Sequence, residues 1–421
     1  MPSSPAPVRS LVALIISNVL GGIGVASGIA VGALLVASMG GVELAGFGQA
    51  LTVLGAAVLA VPLANLAARH GRRRSLATGY AFAATGALIV LIGARLGWFW
   101  LLLLGLLAFG AAQATNLQTR YAASELASPE RRATIMSIVI WATTIGSVLG
   151  PNLSSLGAAV GRRLTLPDLA GPYLFSLAAF TLAGIVISLV FVARRSSPAD
   201  PGPAGSGAAP VGTPPAKAVG ALAALKWASR HPVARFAVLL IVVGHAVMVG
   251  IMSMTPVHLG EEDHGLRAIG LVISLHILGM YALSPLVGWL ADRFGAMRTS
   301  LVGLVILGLS AGLILIAPDA FVPVTVALVL LGVGWSFTLI SGSALLARVD
   351  SGEVRVPLQG ATDALMNYGA ASAALIGGPL LAWIGFGGLA VAAGALIVPA
   401  AAVGWYARRH RDSAFAASDQ R

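Results

Sequence analysis

Between residues 245 and 280 the chain carries four of its nine methionines and four of its seven histidines. Met248 and Met252 stand four apart, as do His276 and Met280, and on a helix that spacing puts each pair on one face. Thioether and imidazole suit a soft ion such as Cu(I) better than they suit Mg²⁺, Ca²⁺ or Mn²⁺, which want oxygen. The chain has no cysteine, so a soft-metal site must use these two groups, and without thiolates it can both bind and release. His245, Met248 and Met252 fall at i, i+3 and i+7 on one stripe. His245, Met254 and His258 are auxiliary metal candidates, although Met254 points off the stripe. At about 1.5 Å of rise per residue, Met248 and His276 each lie roughly 14 Å in from the outer ends of their helices, with Met252 above and Met280 below. The competing reading is that these methionines fill gaps between helices, as most do, and that His276 is a satisfied structural histidine.

The elements that hold these residues follow from composition. Of the 421 residues, 57% are hydrophobic and 10% charged, and the chain breaks repeatedly into long apolar runs. This is an all-α membrane protein. Twelve transmembrane helices are predicted, at about 11–37, 45–68, 75–95, 98–126, 132–158, 171–193, 233–257, 268–291, 298–317, 321–347, 356–382 and 385–407. The first run, after Arg9, is too long for a cleaved signal peptide and is read as retained. Residues 195–232, rich in Pro, Gly and Ala, are expected to be a cytoplasmic linker without a core of their own. A net charge of +11 suggests nucleic acid only until the arginines are placed. Of 26 basic residues, 22 fall on the side of the two termini, and Arg95, Arg162, Arg163 and Arg267 fall opposite. That bias places both termini in the cytoplasm and speaks against nucleic-acid binding.

An internal repeat supports the segmentation. Arg69-His70-Gly71-Arg72-Arg73-Arg74 matches Arg293-Phe294-Gly295-Ala296-Met297-Arg298 at an offset of 224, Glu125 matches Asp350 at 225, and Arg131 matches Arg355 at 224. Two pseudo-symmetric six-helix bundles, 1–194 and 233–421, are the plan of a rocking transporter with its substrate site near the midplane. Asp363, with Asn367 one turn on, is a candidate for proton coupling or charge balance, or else a part of the inner gate. Asn18, Gln113, Asn116 and Gln118 line a cavity or serve as packing glue, and Met366 is a weaker fifth metal candidate. The glycines Gly24, Gly28, Gly32, Gly146 and Gly150 read as close-packing surfaces.

Gly288-Trp289-Leu290-Ala291-Asp292-Arg293-Phe294-Gly295 resembles the loop motif of the major facilitator superfamily, across a chain whose whole plan is similar to it. The resemblance implies a cytoplasmic gate built from Asp292 and Arg293 and from the repeat-related Arg69, Glu125, Arg131, Asp350 and Arg355. The first-half copy departs from the motif, with Ala64 in place of Gly and Ala68 in place of Asp. Gly146-x-x-x-Gly150-Pro151 resembles a motif of proton-coupled exporters, but Gly105 lies in the region where those carry an arginine. The two Met/His pairs resemble the signature of the CcoA-like copper transporters. By that resemblance Met248, Met252, His276 and Met280 handle copper, taken inward across the inner membrane by alternating access. The partners are then lipid, copper as substrate and protons. The protein acts as a monomer without a cofactor. The rival reading is a proton-coupled carrier or exporter of a small organic compound, with the methionines as a plastic apolar pocket. No His-Glu-x-x-His, paired nucleophile and base, or facing carboxylates point to an enzyme.

Overall fold

Hydrocarbon offers a backbone no water to bond, so each crossing must close its own N–H···O=C ladder, and long helices are the expected result. The structure is a computed structural model that describes residues 5–40, 44–192, 219–262, 266–349 and 352–410. In chain order the helices are α1 (Pro5–Gly40), α2 (Ala45–His70), α3 (Arg72–Leu96), α4 (Phe99–Phe109), α5 (Ala111–Leu126), α6 (Arg132–Asn152), α7 (Ser154–Arg163) and α8 (Pro172–Val190). There follow α9 (Ala221–Arg230), α10 (Pro232–Glu261), α11 (Leu266–Tyr281), α12 (Ser284–Phe294), α13 (Ala296–Ile316), α14 (Phe321–Ala347) and α15 (Gly352–Arg409). Among the described residues there is no strand.

Eleven helical stretches among the described residues are long and apolar enough to cross a membrane, and the last, Glu353–Arg409, holds two of the twelve expected spans. Its chain leaves helical geometry at Gly385, with φ 68° and ψ 180°, a combination open to glycine and strained for an L side chain. Before that residue, Gly369 lies against Val242 and Ala246, and Gly377 against Gly250 and Met254. After it, Phe386 stacks on His258 and Gly404 lies against Phe236. The segment therefore climbs alongside α10, turns, and descends along it.

Three spans expected as single helices are broken, and the fifth divides at Leu153, between α6 and α7. The fourth divides at Gly110, where a side chain would overlap the Thr52 carbonyl of α2. The eighth divides between α11 and α12, where Pro285 cannot donate to the helical ladder and opens a new helix instead.

Packing gathers segments 1–126 and 142–221 into one unit and 127–141 and 222–421 into a second. This division differs from a cut at 194, because the first part of α6 belongs with the second unit. Asp292, at the end of α12, accepts the backbone N–H groups of Ala133 (3.0 Å) and Thr134 (2.7 Å), caps that the start of α6 otherwise lacks. Gly288, one turn earlier on α12, lies so close to Ser137 that a side chain would overlap it. Arg132 donates to the Ala347 carbonyl at the end of α14 at 3.4 Å. Within the stretch expected to be linker, α9 is instead a short helix with Ala224 and Ala228 buried and Leu222 exposed.

In the first unit, Phe109, Tyr173 and Phe180 meet edge to face at 5.2–5.5 Å and occupy the surface left open by Gly24 and Gly28 of α1. Ser176 of α8 donates to the Gly24 carbonyl at 2.7 Å and fastens the same pair of helices.

Two outcomes follow. Gly385→Ala is expected to destabilise the protein by about 1–3 kcal/mol, read as a lower midpoint of unfolding in detergent, because alanine must adopt the same backbone conformation. Asp292→Ala removes two charge-assisted bonds and is expected to lose about 2–3 kcal/mol in the same measurement, with Asp292→Asn, which keeps an acceptor, losing less. An Asp292→Ala midpoint equal to the parent would show that the α6 cap carries no stability.

Candidate substrate-recognition site

Two histidines of the second unit, His245 and His276, converge on α14. His245 of α10 faces Trp335 of α14, whose indole N–H donates to His245 Nδ1 at 2.7 Å. Tyr281 of α11 approaches the same indole edge to face, at 5.6 Å between ring centroids. An indole nitrogen only donates, so His245 Nδ1 is an acceptor and, in the neutral ring, the proton sits on Nε2. His245 is thus a poor auxiliary metal ligand while this bond stands, since neither nitrogen keeps a free lone pair.

His276 has the opposite tautomer. Its Nδ1 lies 2.7 Å from the Leu328 carbonyl of α14, which only accepts, so the proton is on Nδ1. Nε2 then carries a lone pair, and in this fully buried ring it has no hydrogen-bond partner. The close approach of α11 to α14 is made at Gly332, where a side chain would overlap the His276 carbonyl and crowd the Met280 N–H. A lone pair buried in this way is suited to a donor or an electron-accepting ion brought in from outside.

Trp335 sets a common depth for His245 and Tyr281, from which the other residues can be placed by helical rise. Met280 lies about 1.5 Å further along the bundle, Met248 about 4.5 Å, His276 about 7.5 Å and Met252 about 10.5 Å. The four residues read as a ladder therefore occupy successive depths, with Met248 and His276 close to level. Met248 and Met280 are buried and Met252 is partly exposed. His245 and His276 face α14, however, and Phe321–Ala347 holds no Met, His or Cys. At these depths, from Leu328 to Gly334, α14 presents aliphatic residues and glycine, with the Trp335 indole at the near end; Ser336 and Thr338 lie on the other side of Trp335.

The remaining expectations fall in three places. Met254 lies against Gly377 of α15. His258 sits at the far end of α10, its Nε2 2.7 Å from the Pro318 carbonyl and 3.6 Å from Asp319 Oδ1. His258, Glu262 and Asp319 bring ligand atoms within 4.8 Å of one another, but the Pro318 contact requires a proton on His258 Nε2, so that nitrogen offers no lone pair. Asp363 and Asn367 are both fully buried in α15, with the Asn367 amide donating to the Asp363 carbonyl at 2.8 Å, and Met366 is buried beside them.

In the first unit Asn18, Asn116 and Gln118, three of the four polar residues weighed as cavity lining or packing glue, bond to other helices. Asn18 donates to Thr119 and accepts from Thr143 at 3.4 Å, Tyr80 donates to Asn116 at 2.8 Å, and Gln118 donates to the Ala60 carbonyl at 3.1 Å. Glu125, assigned to a gate, is paired with Arg72 at 2.9 Å. Arg69, Arg131 and Arg293 are exposed, Arg355 is partly buried, and Asp350 lies outside the described residues. Arg120, counted among the loop arginines, is fully buried in α5 with its guanidinium 4.5 Å from the Tyr121 ring. A charge at such depth is a functional signal, and its position six residues before the end of α5 could have shown it. Trp335 and Tyr281 were also missed, because single aromatics in apolar helices look like core.

The family model described as Major Facilitator Superfamily matches residues 13–268 and 261–420. A relative in Bacillus subtilis (strain 168), named as the uncharacterized MFS-type transporter YddS, is 38% identical over 96% of this chain and 92% of its own length. The riboflavin transporter RfnT of Brucella anthropi is 27% identical, over 78% of this chain and 77% of its own. The crystal structure of the human organic anion transporter MFSD10 superposes with a TM-score of 0.75 at 16% identity, covering 95% of this chain and all of that one. The chain belongs to the Major Facilitator Superfamily and is a multi-pass membrane transporter of the secondary-carrier type.

Proposed function

We propose that the carrier moves a small organic solute with a planar face and a hydrogen-bond donor, recognised in the second unit by His276 Nε2 and by the Trp335–Tyr281 pair. The observation that carries this reading is the buried, unpartnered His276 lone pair. Leaving an acceptor unpaired in such a place costs about 1–3 kcal/mol, and a substrate donor would recover it. The aromatic pair, about two turns along α14 from Leu328, supplies a surface for a flat ring. The kinship with a protein named as a riboflavin transporter makes flavin-like heterocycles the first compounds to try. Asp363 is the carboxylate proposed to take up a coupling proton, with the gate roles of Asp292 and Arg293 retained. On this reading the protein sits in the cytoplasmic membrane with both termini inside and works as a monomer. It catalyses no chemical step and needs no cofactor.

A second reading, inward transport of Cu(I), is favoured by one observation. His276, with the same lone pair, stands one helical turn from Met280 and, by helical rise, at a depth between those of Met248 and Met252. The named relatives carry no copper assignment, and α14, which His245 and His276 face, brings no soft ligand. The organic solute is therefore the better supported substrate.

Tracer uptake into proteoliposomes separates the two, with riboflavin and a panel of planar heterocycles in one arm and radioactive Cu(I) in the other. Uptake of a heterocycle is expected, with KM raised about tenfold or more in His276→Ala and in Trp335→Phe at equal protein density. Cu(I) uptake that is lost in Met248→Ala/Met252→Ala and in His276→Ala, with no heterocycle transported, would establish copper instead. Heterocycle uptake indifferent to both His276 and Trp335 would leave a carrier whose site lies elsewhere.

A further inference from the structure

On the flank formed by α3 and α8, the first unit carries a groove of about 450 Å³ lined by Ala77, Ala81, Ala84, Gly184, Ile185 and Ser188 among others. On α3 the lining follows Arg73 at intervals of four, eight and eleven residues, so the guanidinium and the groove share one helix face. From Arg73 to Ala84 the rise is about 16 Å, roughly half of the ~30 Å hydrocarbon core, so the groove runs about the depth of one leaflet.

At its arginine end two cations converge. Arg73 Nη2 donates to the Ser188 carbonyl, and Arg9 Nη2, from α1, donates to the next carbonyl, Leu189, at 3.4 Å. These carbonyls belong to the last turn of α8, where a helix has no internal donors left to offer. Both arginines are exposed, and each guanidinium has five N–H groups, of which this contact uses one. The neighbouring Arg72 turns the other way and pairs with Glu125. Two exposed cations are thus held side by side at the mouth of an apolar trough that opens on the membrane.

We propose that this groove binds an anionic phospholipid, with one acyl chain along α3 and α8 and the phosphate held by Arg9 and Arg73. The apolar lining and its length fit a single acyl chain, and the paired guanidiniums match a phosphate in charge and in bidentate geometry. A zwitterionic lipid presents the same chain without net negative charge and is expected to bind more weakly. Because Arg9, Arg73 and the carbonyls they touch come from α1, α3 and α8, the lipid would clamp three helices of one unit.

The test is native mass spectrometry of the purified full-length protein, titrated with palmitoyl-oleoyl phosphatidylglycerol and with the phosphatidylcholine of the same chains. The parent is expected to retain the anionic lipid about tenfold more tightly, with the preference shrinking as salt rises. R9Q/R73Q should remove that preference, whereas R69Q/R74Q, equal in charge and away from the groove, should keep it. Gly184→Leu, whose first carbon meets only ordinary contacts at 3.6 Å and beyond, should fill the groove and reduce both lipids at this site. Equal retention of the two lipids by the parent, or equal loss of preference in both double variants, would overturn the proposal. Melting curves in detergent check that each variant is folded, and Gly184→Leu tests the groove without touching a charge.

Discussion

Inside the bilayer there is no water to take up an unused polar atom, and this molecule is arranged around that constraint. Helical ladders dispose of most of the backbone, and at a few helix ends the residual groups are met by side chains from other helices. Asp292 receives the first N–H groups of α6, Arg132 reaches the last carbonyls of α14, and Ser10 exchanges hydrogen bonds with Val192 just past α8. These contacts join segments far apart in the chain, which is why the first part of α6 packs with the second unit. The same pressure pairs Asn18 with Thr119 and Tyr80 with Asn116 in the first unit, and it makes the unpaired nitrogen of His276 stand out.

The second unit is assembled on α14, a helix buried along much of its length. His245 and Tyr281 meet Trp335 from α10 and α11, and His276 is pinned by the Leu328 carbonyl two turns away. Each contact fixes a protonation pattern as well as a position. The indole forces His245 to accept at Nδ1, and the carbonyl forces His276 to donate there, so two histidines of one bundle present opposite faces to any ligand. Which of them is available is thereby decided by a third helix.

The two halves secure the corresponding junction by different chemistry. In the second half the motif is complete, and Asp292 caps α6 while Gly288 admits the helix closely. In the first half, Ala64 and Ala68 stand where the glycine and aspartate would be, and an Arg72–Glu125 ion pair fastens the start of α3 to the end of α5. The match of Glu125 with Asp350 was legible in the sequence, but its partner Arg72 was not. Adjacent arginines at 72, 73 and 74 are indistinguishable until the helix turns one inward and its neighbour toward α8.

Sequence alone determined the class, the twelve spans and the family, because each depends on local composition and on spacing along the chain. Runs of apolar residues as long as a bilayer is thick need no partner to be recognised. Nor does a Gly-x-x-x-Asp-Arg motif. The grouping of Met248, Met252, His276 and Met280 at neighbouring depths was also legible, since depth follows from counting residues along a helix. Only the tertiary structure decided which way those side chains face. It turned His245 and His276 toward α14, introduced Trp335 and Tyr281, broke three spans, at Gly110, at Leu153 and ahead of Pro285, and sank Arg120 into the first unit. The physical reason is that helix rotation is set by contacts with other helices, and a one-residue turn of about 100° moves a side chain from one neighbour to another without altering any pattern in the sequence.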